Sequence, residues 1–392
     1  MERRGLLKAV VGIGLVLILG LALPLMSACA PAAAPGEEAA EEIAELEDEL
    51  VAEKVKVGDL EDEVTDLEKE IAELRKPAQV YKVRMQHSWG AAENHFFEQY
   101  ADIVREMTGG RIDITIFSDG EIVTVDELPD AVAMGMIDMG HTHPSFYSGV
   151  VPEGYFEYAP YLWSTLDEVM AVLYEYGVGD ICGEAFEETF GFHVLGFQPD
   201  DYGALIFTRE INSIADMAGA MINIEDPLAS ILDELVGVSA TYMSPEEMYT
   251  ALALGTIDGL EWGGAKCMVD MGFHEVAKYF VRPYHVIVWT PFYFINVDLR
   301  GELPADLQAI LREAVYANGI YMRSYYAAEE EKSLAIMREA GVTVCTLPEE
   351  DVNAILQLSV KWLEEEFAVM SPGCASIADA AFEALRDFGR ID

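Results

Sequence analysis

Residues 78–392 alternate between short apolar runs and amphipathic stretches, and this alternation restricts the fold more than any other feature of the chain. Strand-like runs lie at 81–86, 112–117, 191–197, 220–224 and 286–296. Helix-like stretches, in which apolar residues recur three or four positions apart, lie at 94–107, 128–136, 226–236, 244–254, 305–327 and 349–367. Helices interspersed with strands predict an α/β fold in which helices cover the faces of the sheets.

The composition excludes several classes of function. The chain has 392 residues, with 24 Lys and Arg against 70 Asp and Glu, and a formal net charge of −46. Such an acidic surface repels nucleic acid, so we expect no nucleic-acid partner. The sequence has no G-x-S-x-G, H-E-x-x-H or phosphate-loop motif, so we predict a protein that is not an enzyme. The cysteines have no zinc spacing, and the sequence leaves open any pairing among Cys182, Cys267, Cys345 and Cys374.

The first thirty residues have the parts of an export signal. Two arginines and a lysine precede an apolar run over 9–25, and small residues then lead into Cys29. The small pair followed by cysteine resembles the bacterial lipobox, which implies cleavage before Cys29 and attachment of lipid to its thiol. The alternative is an uncleaved membrane anchor, since the run is almost long enough to span a bilayer. Either way, we expect the body outside the cytoplasm, held at the cell membrane.

Residues 36–76 carry a heptad pattern. Apolar side chains alternate three and four positions apart, interrupted only at Glu53, at Ile43, Leu46, Leu50, Val57, Leu60, Val64, Leu67, Ile71 and Leu74. The pattern predicts a coiled-coil stalk that ends before Pro77. The alternative is a solvated spacer, because an isolated acidic helix is marginally stable. If the stalk pairs with itself, the protein is a homo-oligomer.

Several motifs in the body occur in the order found in one family of receptors. They are Met85-Gln86-His87-Ser88-Trp89, Thr108-Gly109-Gly110-Arg111-Ile112, Gly135-Met136-Ile137-Asp138, the segment 211–219 and Gly255-Thr256-Ile257-Asp258-Gly259. Together they are similar to the solute receptors of TRAP transporters, the DctP-like family. The resemblance implies an extracytoplasmic receptor that closes on a small polar or organic-acid solute and delivers it to membrane permease subunits. The alternative is an envelope coiled-coil interaction protein that has lost solute binding.

The same resemblance implies a two-domain, clam-like body with discontinuous domains and a hinge. We expect a signal peptide at 1–28 and a lipid-anchored linker and stalk at 29–76. Domain I is expected at 77–200 plus 289–330, and domain II at 201–288 plus 331–392.

The resemblance also implies a ligand site, with one departure. Most family members hold the ligand's carboxylate with an arginine, and Asn223 stands at that position here. The segment ending in Glu261-Trp262 is similar to the branch that binds 2-oxo or 2-hydroxy acids with a metal ion, in which the glutamate is a metal ligand. That branch has a glutamine near the position of Tyr202. Three expectations therefore stay open: a metal ion held by Glu261, an ordinary protein partner for Glu261, or direct binding of a cationic or hydroxylated solute by Glu261, with no cofactor required.

Further candidates follow the predicted strands. In the resembled fold these strand ends face the ligand, and the residues that we expect near it are Trp89, His143, Tyr147 and Phe292. Asp138, His141 and His143 also form a D-x-x-H-x-H run, a pattern that can bind a transition metal. We favour the simpler interpretation that these three side chains satisfy backbone groups at a strand end.

Overall fold

The computed structural model describes residues 36–74, 79–198, 201–288 and 290–392. The chain forms two compact units, one up to Ala78 and one from Gln79 to Asp392. The predicted signal segment and Cys29 lie outside the described residues.

The first unit contains helix α1, Glu37–Leu74. Its helical form agrees with the heptad pattern, and three leucines of that pattern are exposed: Leu46, Leu60 and Leu67 are 50–59% accessible. Whether this apolar stripe pairs with another helix stays a prediction. Within the described residues, no helix combines the length and the apolar character that crossing a membrane requires.

The second unit is built on two mixed sheets, as the sequence predicted for an α/β clam. The first sheet has the strand order β2-β1-β3-β11-β4, in which β1 runs parallel to β2 and β3, and β11 runs antiparallel to β3 and β4. Its strands are β1 Tyr81–His87, β2 Ile112–Phe117, β3 Met139–Thr142, β4 His193–Phe197 and β11 Phe292–Ile295.

The second sheet has the order β12-β9-β5-β8-β6-β7, and β10 pairs with β5. Its strands are β5 Tyr202–Phe207, β6 Met221–Asn223, β7 Ser239–Thr241, β8 Gly259–Trp262, β9 Tyr279–Arg282, β10 His285–Val288 and β12 Thr343–Thr346. We call the elements around the first sheet the first lobe and those around the second sheet the second lobe.

Helices cover both sheets. They are α2 Asn94–Met107, α3 Leu128–Ala133, α4 Leu166–Tyr174, α5 Val178–Phe190, α6 Leu228–Val236, α7 Pro245–Leu254, α8 Ala265–Asp270, α9 Phe273–Val276, α10 Val297–Glu302, α11 Ala305–Glu339, α12 Glu349–Trp362 and α13 Pro372–Asp387. The start of α7 is well specified, because Ser244 and Glu247 form a capping box around Pro245.

Helix α11 belongs to both lobes. Near its start, Leu307 and Leu311 pack in the core of the first sheet, whereas Leu334 and Met337 pack in a core of the second. The C-terminal helix α13 returns to the first lobe, where it packs against α5. The chain therefore passes between the lobes several times, and the domain limits expected from the sequence stay a prediction.

Two elements differ from the sequence-based prediction. The strand expected at 286–296 is two strands, because β10 pairs in the second sheet and β11 in the first. The helix expected to end near residue 327 continues to Glu339. The stretch after 327 contains good helix formers and no breaker before Gly341, whose φ is +82°.

Candidate functional site

A cavity of about 280 Å³ lies where the two lobes meet. The first lobe contributes side chains from the segment after β3, and the second lobe contributes side chains at the ends of β6 and β8. The lining residues are Phe146, Tyr158, Asn223, Ile224, Glu225, Tyr242, Pro245, Met248, Glu261 and Trp262. Ligands of open α/β sheets bind at strand ends of this kind, and the volume suits a small metabolite.

Two carboxylates, those of Glu225 and Glu261, line this cavity, and Glu261 repels a negative charge on Glu225. Glu261 lies on β8, and Glu225 follows β6 by two residues. Burial raises the pKa of Glu225, and repulsion by Glu261 raises it further, whereas a hydrogen bond with the Tyr158 hydroxyl opposes the shift. The charge of Glu261 therefore makes ionisation of Glu225 less favourable.

Two tyrosines from the chain between β3 and α4 bring the first lobe to these carboxylates. Burial and the charge of Glu225 raise the pKa of Tyr158, while burial and the charge of Glu261 raise that of Tyr161. Tyr161 has a φ of +59°, the only positive value among the described non-glycine residues. A buried tyrosine in that conformation is a strained position, and such positions cluster at ligand sites.

Asn223 is oriented by its own lobe. Its side-chain oxygen accepts a hydrogen bond from the Met243 backbone at 2.9 Å, and its side-chain nitrogen lies 3.8 Å from the Met248 sulfur. The side chain is 3% exposed. An amide held in this way brings no positive charge to the cavity.

The cavity offers little for a metal ion. The described side chains that line it include no Lys, Arg or His. Across the described parts of the chain, no group of three or more His, Cys, Asp or Glu side chains is arranged to hold a metal. Ca²⁺ takes six to eight oxygen ligands, so Glu225 and Glu261 alone leave most of its shell to other groups.

Two of the other predicted residues form a cluster beside this cavity. The Trp89 indole nitrogen donates to His143 Nε2 at 3.1 Å, and His143 Nδ1 lies 3.2 Å from Glu157. Phe146, which lines the cavity, packs on the His143 ring with centroids 5.1 Å apart. Trp89 and His143 therefore support a cavity wall, although neither lines the cavity itself.

Three predicted residues lie elsewhere. The Tyr147 hydroxyl donates to the Val125 carbonyl oxygen at 2.6 Å inside the first lobe. Phe292 lies on β11, is fully buried and stacks on Phe197 of β4. Tyr202 stacks on Tyr284 with centroids 5.0 Å apart and lines a different cavity.

The D-x-x-H-x-H run is dispersed. Asp138 pairs at 3.0 Å with Arg84, which lies in the middle of β1. His141 is fully buried, and burial lowers its pKa well below the usual range. Asp138 accepts a hydrogen bond from the Arg84 backbone at 2.7 Å, as the structural interpretation expects, whereas neither ring nitrogen of His141 has a hydrogen-bond partner among the described residues.

The second cavity, of about 480 Å³, lies beside α11. Glu330 lies 3.5 Å from Arg282 and accepts a hydrogen bond from the Lys266 backbone at 3.3 Å. Burial, reinforced by the charge of Asp201, raises the pKa of Glu330 to about 7.

Sequence reasoning missed several residues of the first cavity, namely Phe146, Tyr158, Tyr161, Glu225 and Tyr242. Glu225 had a usable signal, because it follows the same strand as Asn223, and residues just beyond neighbouring strand ends converge. The tyrosines had none, since their segment has no periodic pattern.

Comparison with known proteins gives the family of the chain. The family model described as DctP, bacterial extracellular solute-binding protein, family 7, matches residues 85–368. A monocarboxylate 2-oxoacid-binding periplasmic protein of Nostoc sp. is 28% identical over 72% of this chain and 78% of its own.

Solved structures have the same fold. A TRAP periplasmic solute-binding protein of Colwellia psychrerythraea, with bound calcium and pyruvate, is 27% identical, with a TM-score of 0.67 over 80% of this chain and 96% of that one. An apo open TRAP protein of Rhodobacter sphaeroides is 21% identical, with a TM-score of 0.69 over 79% of this chain and 99% of that one. The chain belongs to the DctP family of extracellular solute-binding proteins, and it is an extracytoplasmic solute receptor of the TRAP type rather than an enzyme.

Proposed function

We propose that this receptor binds its solute in the cavity around Glu225 and Glu261. The observation that carries the proposal is the meeting of both lobes there, with Phe146 and Tyr158 on one side and β6 and β8 on the other. A cavity built from two lobes opens and closes as they move, so closure can remove the solute from water. Of the residues expected from the sequence, Asn223, Glu261 and Trp262 are assigned to this site.

Contacts beside the cavity support closure as the binding event. The Tyr155 hydroxyl of the first lobe donates to the Asp226 carbonyl oxygen of the second at 3.2 Å. Tyr155 also packs on Trp362 with centroids 5.6 Å apart. These contacts lie next to Glu225, so opening of the lobes there exposes the proposed site.

The N-terminal parts complete the proposal. Lipid on Cys29 would hold the receptor at the membrane, and 29–76 would form a stalk whose exposed apolar stripe pairs with a second copy. We keep domain I at 77–200 plus 289–330 and domain II at 201–288 plus 331–392 as proposed limits, except that α13 moves to domain I because it packs in the first lobe. The family assignment gives no support to the alternative of an envelope protein without solute binding.

The site is tested with two substitutions in the cavity. We expect Glu261→Gln to weaken solute binding by at least about tenfold, because a hydrogen bond to a charged group contributes about 1.5–3 kcal/mol. Asn223→Ala should weaken binding less, since the amide is already bonded within its lobe.

Isothermal titration calorimetry measures both effects, with Tyr202→Phe in the other cavity as the control. Equal or reversed losses for the two cavity variants would remove Glu261 from the centre of the site. An unchanged affinity in both would remove the cavity itself.

The relatives suggest one way to neutralise the cavity. The Nostoc relative is named for 2-oxoacids, and the Colwellia structure contains calcium with pyruvate. By analogy, a divalent ion on Glu261 would bring an organic acid into the site, with the solute and water supplying most of the metal's ligands. This arrangement predicts that binding disappears when the metal is removed with a chelator.

A further inference from the structure

A buried carboxylate outside the cavity joins parts of the chain that are far apart in sequence. Glu157 belongs to the segment Pro152–Tyr158, and its side chain is fully buried. Its Oε1 accepts hydrogen bonds from the Thr290 backbone N–H at 2.5 Å and from the Thr290 hydroxyl at 3.3 Å. Its Oε2 accepts one from the Ser145 backbone N–H at 3.1 Å. These donors compensate for the cost of burying a carboxylate.

A histidine supplies a further donor to the same carboxylate. The Trp89 indole N–H can only donate, so His143 Nε2 accepts from it at 3.1 Å and the ring proton lies on Nδ1. His143 Nδ1 is 3.2 Å from Glu157 Oε1, and it therefore donates to the carboxylate. Glu157 thus holds the chain after β3 directly, and the chain after β1 through His143.

The contact with Thr290 lies where the chain passes between the lobes. Thr290 stands between β10, which pairs in the second sheet, and β11, which pairs in the first. The next residue, Pro291, accepts a hydrogen bond from the Gln198 backbone at 2.8 Å, and Gln198 follows β4 at the start of the passage to β5. The Gln198 side-chain oxygen accepts from Asn318 of α11 at 3.3 Å. Glu157 is therefore bonded to one of three connected segments that pass between the lobes.

The other contacts of this carboxylate lead to the wall of the cavity. Ser145 precedes Phe146, and Glu157 precedes Tyr158, and both aromatic side chains line the cavity. The Ser145 N–H lies in the first turn of Pro144–Tyr147, where backbone N–H groups have no partner within the helix, so Glu157 supplies one. Displacement of Glu157 would therefore move both aromatic side chains.

We propose that Glu157 is a positioning residue for solute binding, which holds the crossing at Thr290 against the cavity wall so that lobe movement and cavity shape change together. This inference rests on the proposed function and adds a residue that lies outside the cavity lining. Without this contact the crossing and the wall would move independently. The closed, binding-competent form would then be less populated, and the apparent affinity for solute would fall in proportion.

The test compares Glu157→Gln with the matched control Glu153→Gln. Both glutamates are buried in the same short segment, but Glu153 accepts its hydrogen bond from the Ser371 hydroxyl at the start of α13, inside the first lobe. Glutamine has nearly the same shape and places an NH₂ group where a carboxylate oxygen accepted, so each variant loses part of its contacts. The free energy of unfolding in urea should fall in both variants, whereas only Glu157→Gln should change the movement of the lobes.

The separation of the lobes is measured without any solute, by double electron–electron resonance between two spin labels. The labels replace Met134, which follows α3 in the first lobe, and Leu254, which ends α7 in the second; these side chains are 73% and 76% exposed. Attachment through ketone-bearing amino acids leaves the native cysteines unmodified. We expect a broader distance distribution for Glu157→Gln than for the wild type, and the wild-type distribution for Glu153→Gln.

A milder variant covers the case in which Glu157→Gln does not fold. Thr290→Val removes only the hydroxyl donor and keeps the backbone N–H, so it should broaden the distribution by a smaller amount.

The outcomes separate this inference from the proposed site. A wild-type distribution in folded Glu157→Gln, checked by its thermal transition, would overturn the role of Glu157 and leave the cavity as the proposed site. Equal broadening in Glu153→Gln would also overturn it, because any lost buried contact would then have the same effect. The proposed site is judged separately, by the solute affinities of Glu261→Gln and Asn223→Ala.

Discussion

At the scale of single residues, two carboxylates line the cavity. One relative, by contrast, is named for binding 2-oxoacids, and a solved relative contains pyruvate with calcium. The sequence resemblance predicts an arginine where this chain has Asn223, and Glu225 lies just beyond the same strand end. An amide and a carboxylate there bring no positive charge to the cavity. Solute class in this receptor is therefore expected to depend on very few side chains.

Glu330 gives a residue-scale prediction about stability. Its pKa rises from the ordinary value of 4.5 to about 7 in the folded protein. The folded state then retains a proton that the unfolded state releases, so stability should fall as the pH rises from about 4.5 to about 7. The loss amounts to about 3 kcal/mol at most, from 1.36 kcal/mol for each pKa unit. Glu330→Gln should flatten this dependence.

The measurement is urea unfolding of the wild type and Glu330→Gln across that pH range. The neighbouring Glu331→Gln changes an exposed carboxylate and should keep the wild-type pH dependence. Parallel curves for wild type and Glu330→Gln would show that Glu330 titrates alike in the folded and unfolded states.

At the scale of elements, the wall of the cavity depends on two short helical segments that pack closely. Pro144–Tyr147 carries Phe146, and Pro152–Tyr158 carries Tyr158. They meet at Gly154, where an added Cβ would lie 2.3 Å from the Pro144 carbonyl oxygen. Only glycine allows this approach, so the glycine sets the position of both aromatic side chains.

We therefore expect Gly154→Ala to push the two segments apart. It should cost about 1–3 kcal/mol of stability, as overpacking usually does, and it should weaken solute binding because Phe146 and Tyr158 move. Gly149→Ala is the control, since its Cβ would have nothing within 4 Å. Thermal unfolding and calorimetry check the two effects. Equal stability of both variants would mean that the two segments separate without cost.

How far the sequence predicts the elements depends on how local their causes are. The helix at 94–107 and the strand at 112–117 have clear periodic patterns, and both are present with the predicted bounds. The split of 286–296 was not predictable, because the apolar residues are continuous there while the strand partners change from one sheet to the other. The change of pairing from one sheet to the other depends on tertiary contacts, so no local feature of the sequence indicates it.

The site follows the same rule. Glu261 and Trp262 belong to a motif, so the sequence could name them as candidates, and both line the cavity. Phe146 and Tyr158 come from an aperiodic segment that the close packing at Gly154 positions, so their place at the cavity depends on contacts between segments. Trp89 and His143 were expected at the ligand, and they support the wall through their mutual hydrogen bond instead.

At the scale of the whole molecule, helix α1 decides whether the receptor acts as a single copy. Leucines at heptad positions are half exposed, and so are Val51 and Val55, which lie outside the heptad pattern. If the stripe pairs with a second copy, replacing Leu46, Leu60 and Leu67 by glutamine should give monomers, because glutamine keeps helix propensity while removing the apolar surface.

Sedimentation equilibrium of the purified chain measures this change. Val51→Gln with Val55→Gln removes comparable apolar surface away from the stripe and should leave the oligomer intact. A monomeric wild type would make α1 a tether, and each membrane-bound copy would then deliver solute independently.

The anchor is the other property of the whole molecule that the sequence predicts. Lipid on Cys29 should keep the receptor in the membrane fraction, because the acyl chains contribute about 0.8 kcal/mol for each buried CH₂ group. Cys29→Ser should move the chain to the soluble extracytoplasmic fraction if its signal is still cleaved, and it should abolish incorporation of radioactive palmitate. Met26→Leu keeps the apolar character of the cleavage region and should leave both properties unchanged. A wild-type chain that stays in the membrane without incorporating palmitate would identify the apolar run at 9–25 as an uncleaved anchor, with the stalk and the binding body still exported.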